Sequence, residues 1–368
     1  MLSNVEAAEN FRGLARTKAR DFITKTVNPL LVDEQLAQGW EIAKRGKQTV
    51  QLRRAKVHNV RLEDRVWVLL YRMGFTHLSG QGGGSLSIAP RDPNSPKTQI
   101  DVVGIDEETA LAIECKSAEK LSKRPQFAEE LGKHSMVRAA FTAAVREQFA
   151  TSTKRQVALA IFTSNINLNE NDRKRAQEQN IVVFDDQDLT YYEALVAHLG
   201  SAARYQFLAD MLPNKLVPGL QIRVPAVRVK MGGHNCYTFS ISPEYLLKLA
   251  YVSHRAKGKA SDVDTYQRMI RKSRLKSIQN YIDQNGIFPT NIVINLDKKP
   301  QFHRSGQETD SVENGTMGWL DLRPAYKSAW IIDGQHRLFA YSGHKSAAKA
   351  SLAVLAFEGL PARSKQSS

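Results

Sequence analysis

The stretch TQIDVVGIDEETALAIECKS, Thr98 to Ser117, decides how the first half of this chain is read. Apolar residues on either side of the acidic run Asp106-Glu107-Glu108 mark two strands joined by a turn. Each strand nevertheless ends in charge, at Asp101 on one side and at Glu114 and Lys116 on the other, where a buried hairpin favours apolar groups. Twelve residues separate Asp101 from Glu114, a spacing that lets a strand, a tight turn and a returning strand bring the carboxylates together. Two such charges repel strongly unless a cation sits between them. A hard divalent ion, Mg²⁺ or Mn²⁺, fits that need, since Mg²⁺ typically takes one or two carboxylates plus substrate phosphate. Lys116 falls two residues beyond Glu114 and so shares its face. There an ammonium can orient an attacking water or offset charge on a phosphate. Cys115 points the other way, as a small buried hydrophobe. The alternative is an ordinary hairpin carrying a surface ion pair of little energetic weight.

Outward from the hairpin, RLEDRVWVLLYRMGF places Leu62, Val66, Leu69, Leu70 and Met73 at helical spacing, with Gly74 as the stop. SLSIAP reads as a strand, PQFAEELGKHSMVRAAFTAAVREQFA as a long helix with Pro near its start, RQVALAIFTSN as a buried strand, NENDRKRAQEQN as a polar helix and IVVF as a short strand. The order helix, three strands, helix, strand, helix, strand implies an α/β unit whose mixed sheet is flanked by helices. Upstream, Ser3 to about Val27 reads as a helix and EIAKRGKQTVQLRRAK as a basic hairpin around Arg45-Gly46. The glycines of SGQGGGS lack the GK[ST] ending of a P-loop, and Gly82 to Gly84 read as flexible backbone.

The pattern D-x12-E-x-K on a hairpin, between an acid-bearing helix and a second helix, resembles the PD-(D/E)XK nuclease superfamily over about residues 61 to 185. The resemblance implies a restriction-endonuclease-like core, with Asp101 and Glu114 as metal ligands and Lys116 as the catalytic lysine. It also implies that Glu63, on the preceding helix, is the extra acid beside the metal. Glu63 borders the apolar stripe through Trp67 and Leu70, although among Arg61, Asp64 and Arg65 it can equally decorate a solvated face. Ile100 stands where the family name has proline. Gln126, on the next helix, reads better as a plain N-terminal helix residue than as a DNA contact.

Pro and Gly become frequent and short alternating strands begin in LPNKLVPGLQIRVPAVRVKMGGHN, which marks a boundary near Gly200 to Pro213. Beyond it, SAWIIDGQHRLFAY puts Asp333 at the end of an apolar strand, Gly334 at the turn, and Gln335, His336 and Arg337 at the opening of a helix. Free amides and Arg337 there can attract phosphate; equally, Asp333 can cap the helix while Gln335 and His336 satisfy neighbouring backbone. The string DGQHR, with FSISPEYLLKLAYVSHR, YQRMIRKSRLKSIQNYI and FPTNIVINL, resembles the DGQHR-domain proteins over about residues 215 to 357. Those are related to the ParB-like fold, and some accompany DNA phosphorothioate or deazaguanine modification and phage defence. The resemblance implies an α+β domain, and a nucleotide or DNA phosphate held at Asp333, Gly334, Gln335, His336 and Arg337. In that family more sheet normally follows, so this copy reads as C-terminally shortened. A basic helix carrying Arg268, Arg271, Lys272 and Arg274 between apolar positions is a candidate to track a DNA backbone, or else a solvated face.

The chain has 368 residues, enough for more than one domain, with 42% apolar content, no run long enough to span a membrane and no apolar leader. A cytoplasmic protein is expected. Its two cysteines, Cys115 and Cys236, lie too far apart for a CxxC zinc or redox motif. A net charge of +15 favours a polyanionic partner. The expected organisation is an N-terminal helical and basic hairpin region over 1–60, a nuclease-like domain over 61–205 and a DGQHR domain over 206–368. The expected function is Mg²⁺-dependent DNA cleavage, by a homodimer or together with other components of a modification or defence system. The rival is a DNA-binding regulator or modification sensor without turnover, and an NTP-hydrolysing ParB-like switch ranks third.

Overall fold

The computed structural model describes residues 1–88, 96–123, 127–252, 272–305 and 315–360. They form two compact units: residues 1–150 with 157–189, and residues 151–156 with 190–368. The division falls inside one helix and not at Gly200 to Pro213, because Tyr192 already bonds Asp210 of the second unit (2.7 Å). Residues 151–156 join that unit through the Gln156 amide on Leu216 O (2.9 Å) and through Thr153, which lies against Gly219.

In the first unit the chain runs β1 (Leu2–Ser3), β2 (Val5–Ala7), α1 (Arg12–Lys18), β3 (Phe22–Val27), α2 (Val32–Ala37), β4 (Glu41–Arg45) and β5 (Val50–Ala55). It continues through α3 (His58–Met73), β6 (His77–Ser79), β7 (Gly84–Ser87), β8 (Lys97–Ile100), β9 (Val102–Ile105), β10 (Thr109–Lys123) and α4 (Phe127–Gln148). β11 (Gln156–Asn167), α5 (Glu170–Glu178) and β12 (Ile181–Phe184) follow, and α6 (Asp186–Leu199) crosses from this unit into the second. The central sheet has the order β12-β11-β10-β9-β6-β2, with β11 and β12 parallel and the β10, β9, β6 and β2 neighbours antiparallel. It is the mixed sheet expected from the hairpin followed by helical crossovers. All five apolar stripe residues of α3 are buried, and Gly74 closes the helix in the left-handed conformation at φ 80°. The sheet's other side packs on α4 through Phe127, Leu131 and Phe141.

The N-terminus departs from the expected long helix. Only Arg12 to Lys18 is α-helical in that region; Val5 to Ala7 pairs with β6, and Leu2, 3% exposed, pairs with Leu86. Pairing with strands far along the chain overrides a local preference for helix. Residues 1–60 are therefore part of the first unit. The basic hairpin forms as β4 and β5, and β3 adds a third antiparallel strand on the other side of β5.

The second unit holds α7 (Ala203–Met211), β13 (Ile222–Met231), β14 (His234–Ile241), α8 (Pro243–Leu249), β15 (Ala250–Tyr251), a helix Lys272–Asp283, β16 (Ile292–Leu296), β17 (Gln301–Arg304) and β18 (Thr316–Leu322). β19 (Ala329–Asp333), a short helix Gln335–Ala340 and β20 (Leu352–Glu358) complete it. Its sheet is mixed and eight-stranded, ordered β15-β19-β16-β20-β14-β13-β18-β17. Among the described residues no helix is long and apolar enough to cross a membrane.

Candidate functional site

The β9–β10 ladder pairs Ile105 with Ala110, Gly104 with Leu111, Val103 with Ala112 and Val102 with Ile113. The ladder stops there; Asp101 follows at a bend between β8 and β9, one step beyond the pair Val102–Ile113 and near enough to Glu114 for that charge to bear on its carboxyl. The turn is closed by the Asp106 carboxylate, which accepts from the amides of Glu108 (2.8 Å) and Thr109 (2.7 Å). At the other end the amide of Cys115 donates to Asp101 Oδ2 (2.8 Å), which fixes that carboxylate beside β10. Lys116 Nζ donates to Glu114 Oε1 (2.6 Å), and Glu130, from the first turn of α4, lies 3.9 Å from the same ammonium. The Lys116 and Glu114 side chains are only 24% and 21% exposed, which removes the reading of a surface pair.

Gly83, read from sequence as flexible, is a packed position. Its φ is +80°, and a Cβ there would sit 2.4 Å from Ile100 O and 3.0 Å from Asp101 O. Asn4 pins the loop by donating to Gln81 O (3.0 Å) and Gly83 O (2.6 Å). The glycine run thus lets backbone press against the strand break that presents Asp101.

Electrostatics bind the acids into one group. Burial, then the charge of Glu114, raises the Asp101 carboxyl from an ordinary 3.8 to about 6, against the Cys115 amide. Glu63 is pushed to about 7 by burial and by Asp101, while Lys18 and Lys116 pull it back. Glu114 is raised by burial despite its bond to Lys116. Burial opposes the Lys116 ammonium, yet Glu114 outweighs it and the net shift is upward. The helix residue Glu63 therefore lies near enough to the hairpin for the charges of Asp101 and Lys116 to bear on it. Its neighbour Asp64 is no surface decoration: Lys18 Nζ (2.5 Å) and Lys56 Nζ (2.7 Å) both close on it, with all three side chains at most 8% exposed. Lys18 and Glu130 are the site neighbours that sequence reading missed. Glu130 carried a faint signal, as an acid in the first turn of the helix after the hairpin; Lys18 carried none.

Hard carboxylate oxygens that repel each other in a half-buried place are a donor set suited to a divalent cation. Among the described residues no three His, Cys, Asp or Glu side chains gather tightly enough to hold an ion unaided. A two-carboxylate site completed by water and phosphate oxygens matches that arrangement.

The second constellation sits in the other unit. Gly334 takes φ +91° at the end of β19, and a Cβ there would lie 2.6 Å from Ile292 Cδ1. Asp333 does not cap the helix with its side chain; it is exposed and pairs with Arg337 at 3.1 Å. Arg337 also donates to Thr290 O, Thr290 Oγ1 and Asn291 O (3.1 Å to the last), so its fork ties the turn to the chain before β16. Gln335 is half-buried. His336 Nε2 is buried and makes no hydrogen bond among the described residues; burial and nearby Arg274 push the imidazole below its usual range. Arg268, Arg271, the side chain of Lys272 and Gln126 lie outside the described residues. On the helix Lys272–Asp283, Leu275 and Ile282 face inward while Arg274 and Lys276 are exposed.

Two outcomes follow here. Arg337→Ala should lower the melting temperature by about 5 °C, the loss of charge-assisted hydrogen bonds worth roughly 1.5–3 kcal/mol, without weakening DNA binding. A tenfold affinity loss at unchanged stability would instead put the guanidinium on a ligand. Arg274→Ala should reduce the slope of log affinity against log salt by about 0.9 if it meets a phosphate; an unchanged slope would make that face merely solvated.

Residues 224–366, within the second unit, match a family model described as DndB, DNA-sulfur modification-associated. No curated protein matches the chain. Among solved structures, the crystal structure of protein VC1899 from Vibrio cholerae is similar at 12% identity and a TM-score of 0.25, over 54% of this chain and 50% of that one. The chain thus spans about half the length of that protein.

Proposed function

We propose that this chain is a divalent-metal-dependent DNA endonuclease of a system linked to DNA sulfur modification. The observation that carries the cleavage reading is the gathering of Asp101 and Glu114 at the end of the β9–β10 ladder, with Lys116 hydrogen-bonded to Glu114 at 2.6 Å. The modification link rests on the likeness of residues 224–366 to the DndB family. Asp101 and Glu114, with Glu63 beside them, would hold Mg²⁺ or Mn²⁺, which when bound polarises a phosphate and acidifies water. Lys116 keeps its ammonium at the substrate side of Glu114, where it can orient the attacking water and balance charge on the phosphate. Glu63, with its carboxyl near 7, can hold or release a proton at neutral pH. Among the described residues of the second unit, Arg274 and His336 are candidates to meet a DNA or nucleotide phosphate, since Arg337 builds the turn. A homodimer would bring one acidic group to each strand.

A regulator or modification sensor without turnover is the second reading, favoured by one fact: the family likeness lies wholly outside the unit with the acids. Incubating the purified chain with sulfur-modified and unmodified plasmid, with and without Mg²⁺, separates the two. Metal-dependent nicks or breaks support the enzyme; intact DNA that is nonetheless bound supports the sensor.

A further inference from the structure

The small sheet β3-β5-β4 is separate from the strands that present the acids. One side closes on its own miniature core of Val32, Val50 and Leu52, with Val27, Trp40 and Ile42 packed against it. Lys25 and Arg54 lie over Trp40, 3.9 and 4.8 Å from a ring centroid. Alternation sends the other set of side chains outward: Thr24, Thr26, Gln51 and Arg53, joined by Lys44 across the irregularity in β4. All five are exposed. Arg53 pairs with Glu41 (3.1 Å) and lies over Phe22 at 5.0 Å, whose ring stays 37% exposed on this face. Thr24, Thr26, Gln51 and Lys44 make no side-chain hydrogen bond or ion pair among the described residues, and the exposed cations Arg45 and Lys47 at the hairpin tip form no ion pair there either.

We propose that this sheet docks its outer face into the major groove of duplex DNA, with Thr24, Thr26 and Gln51 towards base edges and Lys44 and Lys47 on the flanking phosphates. The groove, about 12 Å wide, admits a two-stranded ribbon, and two neighbouring strands of this sheet at about 4.8 Å spacing form one, with the third strand alongside. Hydroxyl and amide side chains are the groups that read donors and acceptors on base edges, and cations on the tip suit the backbone beside them. The deep, narrow major groove of duplex RNA excludes such a ribbon. The sheet also belongs to the unit with the acids: Lys56, the residue after β5, closes on Asp64 beside Glu63. The assignment rests on the DNA reading above but not on cleavage.

The test uses the full chain in metal-free buffer, so that cleavage plays no part. Affinity for a short DNA duplex and for the RNA duplex of the same sequence is measured by fluorescence anisotropy across a range of salt. Wild-type protein should prefer DNA. Lys44→Ala/Lys47→Ala should weaken DNA binding about 30-fold near 0.1 M salt and reduce the salt slope by about 1.8. Thr24→Ala/Gln51→Ala should lower affinity and leave the slope unchanged, and the melting temperature of both variants should stay at the wild-type value because the side chains are exposed. A Lys44→Ala/Lys47→Ala variant with the wild-type slope, or equal affinity for duplex RNA, overturns the groove assignment while leaving DNA binding elsewhere intact. Wild-type protein that binds no duplex overturns the broader DNA reading as well.

Discussion

Glu114→Ala and Lys116→Ala should each reduce metal-dependent cleavage by about 10³-fold or more while DNA affinity stays within about threefold. In the proposed reaction both side chains would act at one phosphate, whereas binding would be spread over many cations on a chain of net charge +15. Asp101→Ala should be equally severe, because it removes the carboxylate on which the charge of Glu114 bears. Lys116→Arg is the informative conservative change. It keeps a cation but replaces a compact ammonium with a broad fork that cannot repeat the 2.6 Å bond to Glu114 from the same depth. Partial activity there would separate a requirement for charge from one for position. Gel assays on plasmid give the rate, and a separate binding titration gives the affinity. Full cleavage by either alanine variant would remove the nuclease assignment.

The site was legible where chemistry and local geometry coincide. Asp101 and Glu114 could be paired from sequence because the period of a strand is two and the Asp106 turn is short, so register follows almost by counting. The stripe of α3 was legible for the same reason, since Leu62 to Met73 repeat on one face. Asp64 was not, because a charged residue between two arginines has the local pattern of a solvated face. Only the arrival of Lys18 and Lys56 from earlier in the chain makes it a buried ion cluster. Gly83 failed differently: a glycine run signals freedom, and whether that freedom is used for motion or for close approach depends on what packs against it.

In the second unit the strand, turn and helix of SAWIIDGQHRLFAY appeared where the apolar run and Gly334 placed them. What sequence could not supply was the use made of Arg337. A guanidinium after a glycine turn has the chemistry of an anion ligand, but Thr290 and Asn291 reach it from 46 or 47 residues away and take its donors. The same long-range pairing undid the N-terminal helix, where β6 recruits Val5 to Ala7 into an edge strand.

Stability of the metal-free protein should fall as pH rises from about 4 to about 7.5, and a saturating divalent ion should restore it at the upper end only. In the folded chain Asp101 titrates near 6 and Glu63 near 7, both above ordinary carboxyl values, so the folded state binds protons more tightly than the unfolded one. Below the unfolded values both carboxyls are neutral in either state and nothing is lost. As pH climbs through 6 and 7 the buried carboxyls must ionise beside one another. For Asp101 alone the rise from 3.8 to about 6 corresponds to about 3 kcal/mol; Glu63 is more exposed and adds less, since solvent screens it. The corresponding drop in melting temperature is on the order of 5–10 °C. A cation between the carboxylates offsets their repulsion at pH 7.5, whereas at pH 4.5 protons already occupy them. Asp101→Asn removes the charge without changing the shape. It should therefore raise the melting temperature of the metal-free protein at neutral pH, flatten its pH dependence and weaken the response to metal, even as cleavage disappears. Calorimetry of wild-type and Asp101→Asn protein in chelator, Mg²⁺ and Mn²⁺ at both pH values measures each of these. A melting temperature indifferent to pH and to metal would mean that the acids do not form one ion-binding group.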